Sequence, residues 1–239
     1  MLSRIISFSV IIYLANLWIS ECMTYPAKTE LIDDYFQTYL SEYKILITNL
    51  DSTTLVFRGE KTNAALVFYP GGNIDFNSYK PLMATLATKG IMCVLYKMPL
   101  DLAFFIIIAA RGIQEKFPEI KNWYMGGHSL GGLCSSFYLY FKKSEFKGLI
   151  LLGSYITVDF SNTNLKVVSI LGTEDKVINM KRYNKSKKNY PKDFTEIIIE
   201  GGCHSYFGMY GLMINDGTPS ISNIEQIQFT SNELSKLME

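Results

Sequence analysis

Apolar positions along this chain recur with two different periods, one typical of strands and one typical of helices. Short apolar runs rich in β-branched and aromatic residues predict strands; they cover residues 65–72, 91–98, 122–129, 147–155, 165–175 and 194–202. Segments with helical spacing predict helices; they cover residues 31–44, 77–90, 99–117, 130–143 and 222–238. Residues 44–59 have the pattern of a β-hairpin. Most of the chain is therefore expected to alternate between strand and helix.

This alternation predicts an α/β fold with a mainly parallel sheet and helices on both faces, because parallel neighbours need crossover connections. The 239 residues, 48% of them hydrophobic, are enough for one sizeable core, so residues 23–239 are expected to form a single domain. Residues 99–117 are expected to form a core helix that starts near Asp101. Ligands of such sheets bind beyond the carboxyl ends of the strands.

The first 22 residues differ from the rest, because Arg4 precedes an apolar run at residues 5–19. As a helix this run would span about 22 Å, less than the roughly 30 Å of a bilayer core, which favours a signal peptide. A tilted membrane anchor, a lipid attached to Cys22 and a buried core helix are the alternatives. Export through residues 5–19 would place the protein outside the cytoplasm, either secreted or held at the membrane.

Charge and cysteine content exclude some classes of function. A net charge of +1 gives no electrostatic reason to bind nucleic acid. Four cysteines without a C-x-x-C cluster favour neither a disulfide scaffold nor a metal site, and no cofactor or metal is expected. The six Lys and Arg residues between Lys181 and Lys192 predict a solvated helix face, or a contact with anionic lipid if the N-terminal segment stays as an anchor.

The stretch YMGGHSLGG, residues 124–132, places a G-x-S-x-G pattern between a predicted strand and a predicted helix. This spacing is typical of a nucleophile elbow, in which Gly127 and Gly131 leave room for a sharp turn and Ser129 stands clear of the sheet. A Gly-rich loop with an incidental serine would show the same sequence pattern, so the choice between the two interpretations depends on the other motifs of the chain. In an elbow, Leu130 would offer its backbone N–H to a developing oxyanion.

A serine nucleophile needs a base and an acid that orients this base. The chain has two histidines, and His128 lies within the elbow, which leaves His204 after the last predicted strand as the candidate base. The acid is expected after the preceding strand, where Asp175 is preferred over its neighbour Glu174. Asp159, after an earlier strand, is the second candidate.

The second oxyanion donor is expected in the loop YPGGN, which follows the strand at residues 65–72. Glycine lets the backbone come close to a substrate, so the N–H of Gly72 or of Asn73 would point at the developing charge. As a turn alone this loop would mean little. Its position at a strand end, like those of the elbow, the acid and the histidine, supports its assignment to the oxyanion site.

Together these motifs resemble those of the α/β-hydrolase superfamily, and most closely its short subgroup often labelled α/β-hydrolase fold-5. The resemblance covers roughly residues 64–225 and is carried by the stretches YPGGNIDFNSYKPL, YKMPLDLAF, YMGGHSLGG, GTEDKV and EGGCHSYFGMYG. It implies an α/β-hydrolase fold, and it gives Ser129, Asp175 and His204 the roles of nucleophile, acid and base in the chain order of that fold. Cys203 departs from the pattern, because a residue such as Asn is expected before the histidine.

The expected function is hydrolysis of small-molecule carboxylic esters through an acyl-enzyme. Only about ten residues, 156–165, precede the next predicted strand, which leaves no room for the cap domain that many hydrolases of this fold insert there. An open site of this kind favours small or short-chain acyl groups. The alternatives are a binding protein without catalysis on the same fold, and a cysteine hydrolase with Cys134 or Cys203 as its nucleophile.

Overall fold

The computed structural model describes residues 24–238, which form one eight-stranded sheet and five α-helices. The strands are β1 (Leu46–Asp51), β2 (Thr54–Arg58), β3 (Ala64–Tyr69), β4 (Ile91–Tyr96), β5 (Trp123–His128), β6 (Gly148–Leu152), β7 (Lys166–Gly172) and β8 (Phe194–Ile199). The helices are α1 (Thr29–Tyr39), α2 (Lys80–Thr88), α3 (Leu130–Phe141), α4 (Met180–Ser186) and α5 (Asn223–Leu237). From β3 onward, an α-helix follows each of β3, β5, β7 and β8, whereas no α-helix follows β4 or β6.

The strands follow the order β1-β2-β4-β3-β5-β6-β7-β8 across the sheet. β2 is antiparallel to β1 and to β4, whereas all other neighbours are parallel. Strands β3 to β6 are buried along their whole length, as expected for parallel strands that are covered on both faces. The predicted α/β class with a mainly parallel sheet is confirmed.

Two apolar layers cover the sheet. On one face, α1, α2 and α5 pack against alternate strand residues such as Leu66 and Phe68 of β3. On the other face, α3 and the segment that follows β4 pack against Val67 and Tyr69. Because successive side chains of a strand point to opposite faces, the unbroken apolar run of β3 supplies both layers.

The core helix expected at residues 99–117 is not formed, and this prediction is wrong. The segment contains the 3-10 turns Pro99–Asp101, Ala103–Ile106 and Gln114–Lys116. Leu100 and Asp101 both have φ of 52°, a left-handed conformation that interrupts a helix. The hydroxyl of Tyr69 donates to the carbonyl of Ile107 (2.8 Å) and accepts from the N–H of Ala110 (3.0 Å). A side chain of the sheet thus satisfies backbone groups that a helix would pair internally.

The connection between β6 and β7 is short. Residues 153–165 contain neither helix nor strand, in agreement with the expected lack of a cap domain. The predicted signal or anchor segment, residues 1–22, lies outside the described residues. Within residues 24–238, no helix is both long enough and apolar enough to cross a bilayer.

Five of the six Lys and Arg residues of the basic run lie on α4 and the 3-10 turn Lys187–Asn189, and Lys192 follows them. All six side chains are exposed. Lys187 forms an ion pair with Glu196 of β8 at 2.8 Å. Arg182, Lys185 and Lys188 line a cleft of about 460 Å³. This arrangement fits the solvated helix face that the sequence predicts.

Candidate active site

Ser129 lies at the turn between β5 and α3. Its backbone has φ 50° and ψ −119°, a strained conformation that costs roughly 1–3 kcal/mol in a residue other than glycine. A Cβ at Gly127 would lie 2.5 Å from the carbonyl carbon of Gly131, and a Cβ at Gly131 would lie 2.1 Å from the carbonyl oxygen of Tyr69. Both positions therefore require glycine. The turn leaves Ser129 half-buried at the carboxyl end of β5.

Asp175 and His204 form a buried pair, and each side chain has only 1% of its surface exposed. Nδ1 of His204 lies 2.7 Å from Oδ2 of Asp175, so its N–H donates to the carboxylate. The other carboxylate oxygen accepts from the N–H groups of Val177 and Ile178 at 2.9 and 2.8 Å. These bonds fix the tautomer of His204, whose Nε2 is buried without a hydrogen-bond partner among the described residues.

Gly153, the residue after β6, lies between this pair and the elbow. Its φ is 51°, and a Cβ there would lie 2.8 Å from Nδ1 of His204 and 3.3 Å from Oδ2 of Asp175. The next residue, Ser154, donates its hydroxyl to the carbonyl of Ser129 at 2.7 Å. The structure thus brings Ser129, Asp175 and His204 to one end of the sheet, where β5, β7 and β8 end.

His128 is buried within the elbow, with its ring centroid 4.5 Å from that of His204. The hydroxyl of Tyr79 accepts from the N–H of Gly71 at 3.0 Å and forms a hydrogen bond with Nδ1 of His128 at 2.7 Å. Burial, and then the neighbouring His204, lowers the pKa of His128 well below its usual value, which keeps the ring neutral. His128 therefore connects the elbow with the loop that starts at Gly71.

The two oxyanion donors left open by the sequence differ in their surroundings. The backbone of Gly72 lies against Leu130, because a Cβ at Gly72 would be 2.9 Å from Cδ2 of that leucine. The N–H of Asn73 instead donates to the carbonyl of Asp101 at 3.0 Å. The first N–H groups of a helix have no partner within it, and Leu130 begins α3. Gly72 and Leu130 are thus the pair whose N–H groups best suit an oxyanion.

Asp216 belongs to this site although the sequence reasoning missed it. Its Oδ2 accepts from the N–H and the hydroxyl of Ser205 at 2.8 and 2.6 Å, and its Oδ1 lies 3.4 Å from the N–H of His204. Oδ1 also accepts from the N–H of Lys176, next to Asp175, at 3.3 Å. Burial alone would raise the pKa of Asp216, but the hydrogen bonds, above all those from Ser205, hold it below the usual value.

The other candidate groups do not fit the roles considered for them. Asp159 is exposed, and its carboxylate accepts from the backbone N–H two residues further on. Glu174 faces Lys176 at 3.7 Å instead of a histidine. Burial raises the pKa of the Cys134 and Cys203 thiols to about 11 and about 12, so neither is a thiolate at neutral pH. Within residues 24–238, no cluster of His, Cys, Asp and Glu is placed to hold a metal ion.

Comparisons with known proteins point to one family. Residues 65–228 match the model of the alpha/beta hydrolase family. TT1662 from Thermus thermophilus aligns with a TM-score of 0.59 and 12% identity over 82% of this chain and 99% of its own. A predicted CIB-like hydrolase from Thermoplasma acidophilum (TM-score 0.54, 13% identity) and Est1E from Butyrivibrio proteoclasticus (0.55, 14%) each align over 81% of this chain and 98% of their own. No curated protein sequence matches this chain.

Proposed function

Because this chain belongs to the alpha/beta hydrolase family, we propose that it is a serine hydrolase that cleaves carboxylic esters. The observation that carries this proposal is the buried Asp175–His204 pair beside the Ser129 elbow, whose second ring nitrogen has no hydrogen-bond partner in the part of the chain that the structure describes. A buried nitrogen without a hydrogen bond calls for an explanation, and proton transfer supplies one.

In the proposed mechanism, Oγ of Ser129 attacks the acyl carbonyl while Nε2 of His204 takes the hydroxyl proton. Asp175 holds the imidazole in the required tautomer and stabilises the imidazolium. The N–H groups of Leu130 and Gly72 bind the negative oxygen of the tetrahedral intermediate. His204 then gives its proton to the leaving alcohol, and an acyl-enzyme forms. A water molecule, deprotonated by the same nitrogen, releases the acid and restores Ser129.

The proposed substrates are esters with small or short acyl groups. Residues 153–165 contain no helix or strand that could cover the nucleophile, and Ser129 is half-buried at the carboxyl end of β5. Without a cap formed by this connection, a long acyl chain is less enclosed and gains less binding energy.

The test of this function uses the full chain and its Ser129→Ala variant. p-Nitrophenyl acetate and butyrate serve as substrates, and a fluorophosphonate probe labels an activated serine. We expect turnover and labelling in the parent protein and the loss of both in the variant. If a folded parent protein neither hydrolyses these esters nor reacts with the probe, the serine hydrolase is wrong and the binding-protein alternative takes its place.

The proposed location is outside the cytoplasm, and it follows from the sequence alone. Arg4 and the apolar run at residues 5–19 give the N-terminus the order of an export signal. A fusion of residues 1–30 to a reporter that is active only after export would be fluorescent or enzymatically active in this case. Retention of the fusion in the cytoplasm contradicts the proposed location but leaves the proposed chemistry untouched.

A further inference from the structure

The segment after β4 exposes several large apolar side chains. Leu100 and Ile108 have 54% and 59% of their surface exposed, and Phe105 and Ile106 are also exposed. In the same segment, Leu102 and Ala103 are buried. A cluster of large exposed apolar side chains marks a surface that contacts something other than water.

This apolar segment borders the candidate active site. The carbonyl of Asp101 accepts from the N–H of Asn73 at 3.0 Å. A Cβ at Gly72 would lie 3.5 Å from Cδ2 of Leu102. β4 lies two strands from β5 in the sheet, so roughly 10 Å separates the strand that leads to this segment from the strand that ends at Ser129.

The N-terminal end of the described chain reaches the same place. The N–H of Tyr25 donates to the carbonyl of Asn73 at 2.8 Å, and the N–H of Asp75 donates to the carbonyl of Tyr25 at 3.0 Å. The apolar run at residues 5–19 ends six residues before Tyr25. Six extended residues span at most roughly 20 Å. If this run is in a bilayer, the loop at Gly72 and Asn73 is within that distance of the lipid.

We propose that residues 100–108 form a surface that docks on a lipid bilayer, with residues 5–19 as the attached anchor, and that the enzyme cleaves esters presented at the bilayer surface. This inference rests on the proposed serine hydrolase and names where its substrate is found. The occupant is lipid because the chain reaches Asn73, beside the exposed segment, only six residues after the end of the apolar run at residues 5–19.

The charges around the segment agree with a lipid surface. Lys97 and Arg111 are exposed at its two ends, where long basic side chains reach lipid headgroups. Asp101 is the acidic residue within the segment; its side chain is half-buried, and burial followed by the nearby Asp75 raises its pKa. The segment thus presents apolar groups in its middle and cations at its margins.

The first test compares one acyl group in two settings. The full chain, reconstituted into phosphatidylcholine vesicles, is given hexadecyl butyrate in the bilayer or p-nitrophenyl butyrate in solution. The variant Ile106→Asp/Ile108→Asp places two charges on the docking surface. We expect it to lose at least about tenfold in butyrate release from the vesicles while the soluble ester is cleaved at the parental rate. Leu46→Asp is the control, because Leu46 is 61% exposed at the opposite, amino-terminal end of the sheet.

The milder variant Ile108→Gln tests the same surface if the double variant misfolds. It should also release less butyrate from the vesicles than the parent protein. Equal rates of the variants and the parent on the vesicle ester overturn the proposal. So does a loss shared equally by both substrates in both variants, or a loss in Leu46→Asp of the same size. The proposal is also overturned if the intact mass of the purified protein shows that residues 1–22 have been cleaved off.

The second test needs no activity, so it separates docking from the proposed chemistry. Trypsin cleaves after exposed Lys and Arg, and docking should cover Lys97 and Arg111. We expect vesicles to slow cleavage at these two positions but not at Lys44, which is exposed near the opposite end of the sheet. Protection without ester turnover means that the surface is right and the proposed function wrong. Ester turnover without protection of Lys97 and Arg111 means that the proposed function is right and the docking surface wrong.

Discussion

At the residue scale, two carboxylates hold the imidazole of His204 through different groups. Asp175 accepts from Nδ1 of the ring and so sets its tautomer. Asp216 accepts from the backbone of residues 204 and 205 and from Lys176, beside Asp175, so it joins the two loops that carry the pair. One acid thus acts on the ring, and the other positions the loops.

Replacement of Asp175 by Asn is expected to lower kcat by about 10³- to 10⁴-fold, because an amide can stabilise the wrong tautomer of His204. KM should change little. Steady-state hydrolysis of p-nitrophenyl butyrate measures both constants. Asp159→Asn is the control, since this exposed carboxylate is not part of the site. Full activity of Asp175→Asn would show that another group orients the base.

Replacement of Asp216 by Asn is expected to destabilise the fold by about 1–3 kcal/mol, because its amide group would face the N–H and hydroxyl of Ser205. Urea unfolding measures this difference, with Asp33→Asn, an exposed change on α1, as the control. The variant should also lose kcat while binding of substrate stays similar. A normal kcat would leave Asp216 with a purely structural role.

The same variant predicts a pH dependence. The pKa of Asp216 is lowered by folding, so its charge contributes stability above the pKa of the unfolded chain, about 3.9, and this contribution is lost as the pH falls through the folded value. The difference in unfolding free energy between parent and Asp216→Asn should therefore be largest above about pH 4 and shrink below it. A constant difference at all pH values would contradict this.

At the scale of elements, the strands and the elbow could be predicted because their signals are local. The apolar run of β3 predicts a buried strand, and the glycines around Ser129 predict a sharp turn, without reference to residues elsewhere in the chain. The segment at residues 99–117 could not be predicted, because its conformation depends on Tyr69, which belongs to a distant strand. Asp216 was missed for a related reason: next to Gly217 it reads as a turn, and only the fold brings it to Ser205.

If Tyr69 replaces helical hydrogen bonds, its hydroxyl should matter for the segment that it supports. Tyr69→Phe leaves the carbonyl of Ile107 and the N–H of Ala110 without this partner, and we expect a loss of about 1–3 kcal/mol in unfolding free energy. Hydrogen exchange should rise first at Ala110. Tyr43→Phe, at an exposed position, is the matched control and should have no effect. An unchanged exchange rate at Ala110 would show that the segment is held by packing alone.

At the scale of the whole molecule, the parallel direction of β3 to β8 places the ends of β5, β7 and β8 together. Residues that directly follow these strands in the sequence could therefore be predicted to lie near one another. Within residues 24–238, the connection after β6 adds no cap at this end of the sheet, and the expected acyl preference follows from this.

Catalytic efficiency on p-nitrophenyl esters is expected to fall as the acyl chain grows from four to twelve carbons. An uncapped site encloses little of the longer chain, so the added carbons contribute little binding energy. Comparison of kcat/KM for the butyrate and the laurate in solution tests this. An efficiency on the laurate about tenfold higher, a gain of about 1.4 kcal/mol, would reveal an enclosed acyl groove and overturn the preference.

The three buried thiols within residues 24–238 can report on local opening of the fold, independently of ester chemistry. Cys93, Cys134 and Cys203 are free, and each belongs to a different part of the molecule: the centre of the sheet, the elbow helix and the loop of the base. An alkylating reagent reaches them only when the surrounding structure opens. The mass added at each cysteine over time therefore reports which part of the protein opens first. Since none of the three is the proposed nucleophile, the alkylation rates can also be measured while Ser129 is blocked.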